Sequence, residues 1–200
     1  MTGGAWRYAA ARAITEALQP PVVVAIMMLL SPAGSPGFPG TFWYGVIAAV
    51  FTCVVPFVVL VALVRAGKVT DHHVSDRRQR GPVLALSLVI VLGGFAALGL
   101  LHAPASVMAM VLALVGGIAL LAIVSLVWKI SGHAAAITSA AVSVLYLFGP
   151  GWWPALVLVP VVIWSRLLLR AHTLAQLLAG AVFGGGVVVG LWRGLLALFG

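Results

Sequence analysis

The chain has 200 residues, of which 64% are hydrophobic and 7% charged, with a formal net charge of +8 and a single cysteine. Its mean hydropathy of +1.23 lies far outside the range of soluble globular domains, so we read it as an integral, multi-pass membrane protein, all-α, with residues 1–200 forming one domain. Only three acidic residues are present, Glu16, Asp71 and Asp76. That number excludes intramembrane prenyltransferase and CDP-alcohol phosphotransferase chemistry, which holds divalent metals through several carboxylates.

Apolar runs separated by turn signals predict segments over 20–30, 41–64, 83–101, 106–128, 134–148, 153–169 and 173–195. Most approach the ~20 residues with which a helix crosses ~30 Å of hydrocarbon, and lipid admits no other open structure because it cannot satisfy free backbone groups. The first segment is short and opens on Pro20-Pro21. It continues an N-terminal helix containing Trp6, Arg7 and Arg12, so six or seven spans are expected, and it runs into further spans instead of a cleavage site, as a retained segment does. Cys53 lies inside an apolar run as a small packing residue. Glycine is frequent, and the stretch from Gly180 to Gly190 suits close helix approach.

The connections fall into two sets. Residues 31–40, 102–105 and 149–152 are rich in Gly and Pro and carry no Lys or Arg. The N-terminus, the 65–80 loop, Lys129, and Arg166 with Arg170 are basic, and successive crossings place them on one face. That face holds ten of the eleven Lys and Arg residues, with only Arg193 opposite; leaving out Arg77, Arg80, Lys129 and Arg166 still gives six against one. The positive-inside rule makes the basic face cytoplasmic. Trp43, Tyr44, Trp152 and Trp153 suit interfacial belts at span ends.

Two strings on the basic face carry chemistry: Lys129-Ile130-Ser131-Gly132-His133, and Ser165-Arg166 followed after five residues by His172 and then by Gln176. Ionisable groups near hydrocarbon are expensive, so two imidazoles, two hydroxyls and two cations at the ends of apolar segments call for a function, and a phosphate is the group they suit. Arg gives bidentate hydrogen bonds to phosphate and stays charged, which nominates Arg80, Arg166 and Arg77 as a clamp. Ser131 and the Gly132 amide precede a helix starting near Ala134, where free N–H groups and the dipole favour an anion, and Lys129 adds a point charge. In the 65–80 loop, Asp71 and Asp76 read as partners orienting the arginines. That loop also suits anionic lipid, and His72 and His73 lack a third convergent ligand for zinc.

These strings resemble the type-2 phosphatidic acid phosphatase superfamily, whose membrane members share a helical core with vanadium-dependent haloperoxidases. The likeness covers about 68–180. Ser131-Gly132-His133 stands for the family's Pro-Ser-Gly-His, with Ile130 in place of Pro. Ser165-Arg166 and His172 keep the spacing of its Ser-Arg, five residues, His, three residues, Asp, with Gln176 where Asp is usual. Its first motif, Lys, six residues, Arg-Pro, is the weakest match: Arg80-Gly81-Pro82 resembles its end, His73 stands at the lysine position, and Lys68 or Arg77 supplies the missing cation.

The resemblance implies a phosphatase in which His172 is the nucleophile that takes the phosphoryl group and His133 protonates the leaving oxygen and then activates water. One imidazole must be neutral while the other is protonated, which a side-chain pKa near 6.5 allows. Gln176, one helical turn after His172, can orient it without a charge, so slower turnover is expected than with Asp. The resemblance thus implies a metal-independent lipid phosphate phosphatase acting on a membrane-embedded isoprenoid or glycerolipid phosphomonoester or diphosphate. A phosphorylated-lipid binding or transport protein and a phosphotransferase are the alternatives. The expected partners are the bilayer and a phosphorylated lipid, with no cofactor, metal or nucleic acid.

Overall fold

The computed structural model describes residues 3–70 and 77–199. Asp71, His72, His73 and Asp76 lie outside the described residues, as do the side chains of Arg77, Arg78 and Arg80. The described residues are helical and contain no strand.

Helix α1 (Gly3–Ala17) ends where Gln19 turns extended (φ −65°, ψ 148°) and α2 (Pro20–Leu30) begins on two prolines. A residue before proline is pushed out of the helical region, and proline at the first helical position lacks only an N–H that would be unpaired there anyway. The two axes therefore meet at 45°. Helices α3 (Phe42–Ala49) and α4 (Val55–Arg65) are one continuous rod interrupted by a π-helical turn at Val50–Val54. Pro56 has no N–H to continue the ladder, and the turn widens where that donor is missing. Then follow α5 (Arg77–Leu100), α6 (Ala105–Ser125), α7 (Gly132–Phe148) and α8 (Leu158–Leu168), the last entered through a 3-10 stretch at Pro150–Val157. Helices α9 (Leu174–Val182) and α10 (Val189–Phe199) are joined by a second π segment at Phe183–Val188.

Among the described residues, four helices have the length and apolarity to cross a membrane, Phe42–Arg65, Ala105–Ser125, Pro150–Leu168 and Leu174–Phe199, and a fifth if α1 and α2 form one bent span. This establishes a membrane protein with four or five candidate spans, fewer than the six or seven expected. The difference lies in Ala85–Leu100 and Gly132–Phe148, apolar but short. Helix α7 has 17 residues, about 26 Å at 1.5 Å per residue, less than the ~30 Å of hydrocarbon.

The main core joins α2, α3, α5, α6 and α10 through Met28, Ala48, Leu98, Val107, Met110 and Trp192, all nearly or fully buried. The Trp192 indole donates to the Ser106 carbonyl (3.1 Å), so its one polar atom is satisfied where it is buried. A second cluster of Val23, Ile137 and Val162 ties α2, α7 and α8 together, with Ile14 and Leu18 packed on it. It fixes the end of α1 beside the start of α7. Trp43, Trp152 and Trp153 are exposed, as belt residues are. The Tyr44 hydroxyl donates to the Leu101 carbonyl (2.9 Å), joining the start of α3 to the end of α5.

Candidate active site

Helix α7 opens on Ser131, whose side chain accepts from the Ala134 N–H (3.3 Å) and so supplies the N-cap. The Ser131 hydroxyl is fully buried in that cap. It contributes by shaping the turn that presents Gly132 and His133. The Ser131 N–H donates to the Gln176 carbonyl (3.2 Å), stitching the start of α7 to the first turn of α9.

This stitch needs close backbones. A Cβ on Gly180 would run into the Ser131 carbonyl, and one on Gly184 into the Ala135 carbonyl, while Gly186 and Gly190 have nothing near them. The close approach expected over Gly180 to Gly190 is thus concentrated on the face that turns toward α7. Ser139 sits in the same seam and donates within reach of both the Ala135 (2.9 Å) and Gly184 (3.0 Å) carbonyls.

At the other end of the site, α8 stops on a left-handed residue, Arg170 (φ 51°). The Arg170 N–H donates to Leu167 O (2.9 Å) and the Ala171 N–H to Arg166 O (3.1 Å), the bond pair that closes a helix through such a residue. The chain reverses there. The Ala171 carbonyl accepts from Lys129 Nζ (3.0 Å), and His172 follows immediately.

Thr173 then caps α9 and Gln176 completes a capping box, with the Gln176 N–H donating to Thr173 Oγ1 (3.4 Å) and the Thr173 N–H to Gln176 Oε1 (3.1 Å). The same Oε1 lies 3.3 Å from His172 Nδ1. Because a backbone N–H already donates to it, this atom is the amide oxygen, so Nδ1 must carry the proton and donate. The lone pair of His172 therefore sits on Nε2.

Three groups meet at this end of the bundle. Arg166 and His172 are the titratable neighbours that act on His133. Burial lowers the His172 pKa first, then the charge of Lys129; the Gln176 bond opposes them, and Arg166 lowers it again. His172 is thus held toward its neutral form. Arg166 is half-buried, and its Nε has no hydrogen-bond partner among the described residues. Glu16, the one acidic side chain described, is exposed and pairs with Arg12 at 3.5 Å. The cations of the site accordingly have no carboxylate against them among the described residues.

Lys129, Ser131, Gly132, His133, Arg166, His172 and Gln176 come together. Lys68 stands apart, exposed beside Gln79 and Pro82 in a groove that none of them lines. Sequence reasoning did not foresee Thr15. Its hydroxyl is 2.9 Å from Ser165 Oγ, 150 positions away, and its backbone acts on the His133 ring. The Pro20-Pro21 break, which ends α1, is the signal that a helix terminus falls nearby.

Next to the charged cluster, an apolar pocket of about 130 Å³ runs between α2, α6, α7 and the second π segment. Gly132 lines it, together with Leu121, Ala136, Phe183 and, farther along, Met27 and Met110.

No match was found to a curated protein or to a solved structure. Residues 124–198 match the family model of the PAP2 superfamily. The match takes in both histidine strings and stops short of the Arg80-Gly81-Pro82 string. Over the segment that builds this site, the chain is similar to the PAP2 superfamily.

Proposed function

We propose that the protein is a metal-independent phosphatase that removes a terminal phosphate from a lipid embedded in the membrane. The match of residues 124–198 to the PAP2 superfamily supports phosphatase chemistry on a membrane lipid in general. The observation that carries the finer reading is the meeting of His133, Arg166 and His172, with Lys129 bonded to the Ala171 carbonyl just before His172.

In this reading Arg166 and Lys129 neutralise the phosphate, with Arg77 and Arg80 from the start of α5 as further cations, and an anionic oxygen supplies the acceptor that Arg166 Nε lacks. The His172 Nε2 lone pair attacks phosphorus in line. The bond from phosphorus to the leaving oxygen breaks, and that oxygen takes a proton from His133. Water then attacks the phospho-histidine, His133 takes its proton, the N–P bond breaks, and inorganic phosphate leaves with His172 restored. Charge spread over the equatorial oxygens is met by the arginine fork and by the N-termini of α7 and α9.

The apolar pocket beginning at Gly132 takes the first carbons of the lipid chain. The short polar loops favour an isoprenoid over a large glycerolipid headgroup. Counting Ala85–Leu100 and Gly132–Phe148 as crossings gives six spans, or seven with the bent α1–α2 pair. The bias of basic residues then puts the site on the cytoplasmic side.

A second reading, lipid-phosphate binding without turnover, is favoured by one feature: His172 is oriented by an amide and not a carboxylate. Phosphate release from a polyprenyl phosphate, measured in EDTA with inside-out vesicles, decides between the two. His172→Ala should abolish release and His133→Ala lower it by about 10²–10⁴-fold. Undiminished release in the His172 variant would refute the mechanism.

A further inference from the structure

The end of α1 stands against the site although it lies more than a hundred residues before the segment that matches the family. Its buried face is formed by Ala11, Ile14, Thr15 and Leu18, spaced for one side of a helix, while Trp6, Arg7, Tyr8 and Arg12 are exposed. The ladder closes with the Leu18 N–H on the Ile14 carbonyl (2.9 Å). Beyond it Gln19 is extended and Pro20 has no N–H, so no backbone donor closes on the Thr15 carbonyl among the described residues. Helix-end carbonyls carry the negative end of the dipole and need a partner. The His133 ring is the side chain on which the Thr15 backbone acts.

The hydroxyl of the same residue sets the position. Ser165 is fully buried and spends its one proton on the Val162 carbonyl (3.1 Å). Its oxygen must therefore accept, and the Thr15 hydroxyl donates to it (2.9 Å). Ser165 immediately precedes Arg166, so this bond ties the last turn of α1 to the residue next to the phosphate clamp.

We propose that Thr15 is a positioning residue of the active site: its hydroxyl fastens the end of α1 to Ser165, which aims its backbone carbonyl at the His133 imidazole and fixes which ring nitrogen faces the substrate. The arrangement parallels that of Gln176 and His172, with a neutral oxygen holding each ring. The proposal rests on the phosphatase reading for what His133 does, but the contact itself stands without it.

The test compares wild type with Thr15→Val, which removes the hydroxyl at constant shape, and Thr15→Ser, which keeps it. For phosphate release, Thr15→Val should lower kcat about fivefold with KM within about twofold, the loss of one neutral hydrogen bond, and Thr15→Ser should restore it. Alongside, diethylpyrocarbonate modification is followed peptide by peptide in the same solubilised proteins. The His133 ring should react several-fold faster in Thr15→Val than in wild type, with His102 unchanged and Thr15→Ser like wild type. Wild-type kcat and wild-type His133 labelling in Thr15→Val would overturn the proposal, as would a loss that Thr15→Ser fails to rescue. A wild type that releases no phosphate sinks the phosphatase reading alone, and the labelling then decides the role of Thr15.

Discussion

His172 and His133 share one site but are held by different means. Everything that orients His172 lies within a few residues of it or at the end of the neighbouring loop: the left-handed Arg170, the Thr173 cap, Gln176 in the next turn and Lys129 on the preceding carbonyl. His133 takes its place from the Ser131 cap, but its neighbours come from remote helices, Thr15 on α1 and Arg166 on α8. A locally held residue keeps its geometry as long as its own turn is folded. A remotely held one depends on how helices are spaced, so the two histidines should respond to different substitutions.

The seam between α7 and α9 is where the two supports join, and breaking it gives the largest effect. Gly180→Val would drive a side chain into the Ser131 carbonyl and force apart the turns that carry His133 and His172. A misplacement of about 1 Å between reacting groups costs on the order of 100-fold, so kcat for phosphate release should fall by at least about that much, with a lower thermal midpoint. Gly186→Val, on the same segment with open space around it, should stay near wild type. Equal losses in the two variants would show that the seam is not what sets the distance between the rings.

What could be read from the sequence follows the same division. Lys129, Ser131, His133, Arg166, His172 and Gln176 sit in two short strings, and a helical turn of four residues is enough to bring Gln176 under His172. Thr15 could not be read this way, because its partner lies 150 positions on and only the packing of Ile14 and Leu18 against Val23, Ile137 and Val162 brings them together. The hydroxyls were similarly opaque: the pattern nominated Ser131 for phosphate, whereas a buried cap employs it, and Ser165 serves as a docking point. Hydropathy located the apolar segments but counted Ala85–Leu100 and Gly132–Phe148 as spans, and both helices are short for a crossing.

Exchanging the orienter sharpens the comparison with a smaller effect of opposite sign. Gln176→Glu keeps the length of the side chain and the acceptor for the Thr173 N–H, and places a carboxylate 3.3 Å from Nδ1. A charged acceptor strengthens that bond and, in the proposed mechanism, stabilises the positive charge His172 acquires as it is phosphorylated, so kcat should rise by roughly tenfold at neutral pH and above. His133, which we propose is held by a backbone carbonyl, gains nothing directly, and single-turnover measurements should place the gain in the phosphorylation step. A Gln176→Glu enzyme no faster than wild type would mean that the uncharged orienter does not limit turnover.

The smallest effect concerns pH and separates the cation on the His172 side from the one shared by both rings. Lys129 is exposed, so its field is partly screened by water, but it is the second cause, after burial, of the lowered His172 pKa; Arg166 acts in the same direction and the Gln176 bond against it. In the proposed mechanism His172 attacks only when neutral, and a cation beside it disfavours the protonated ring. Lys129→Met removes that cation at similar chain length, so the His172 pKa rises, the neutral ring persists only at higher pH, and the low-pH limb of kcat/KM moves upward. Arg166 still faces both rings and His133 still faces His172, so the limb should stay below that of a free imidazole, and the change at the optimum should be under about threefold. Added salt should move the wild-type limb the same way and leave that of Lys129→Met nearly still. An unmoved limb in the variant, or a shift to lower pH, would mean that Lys129 holds the Ala171 carbonyl without acting on the charge of the nucleophile.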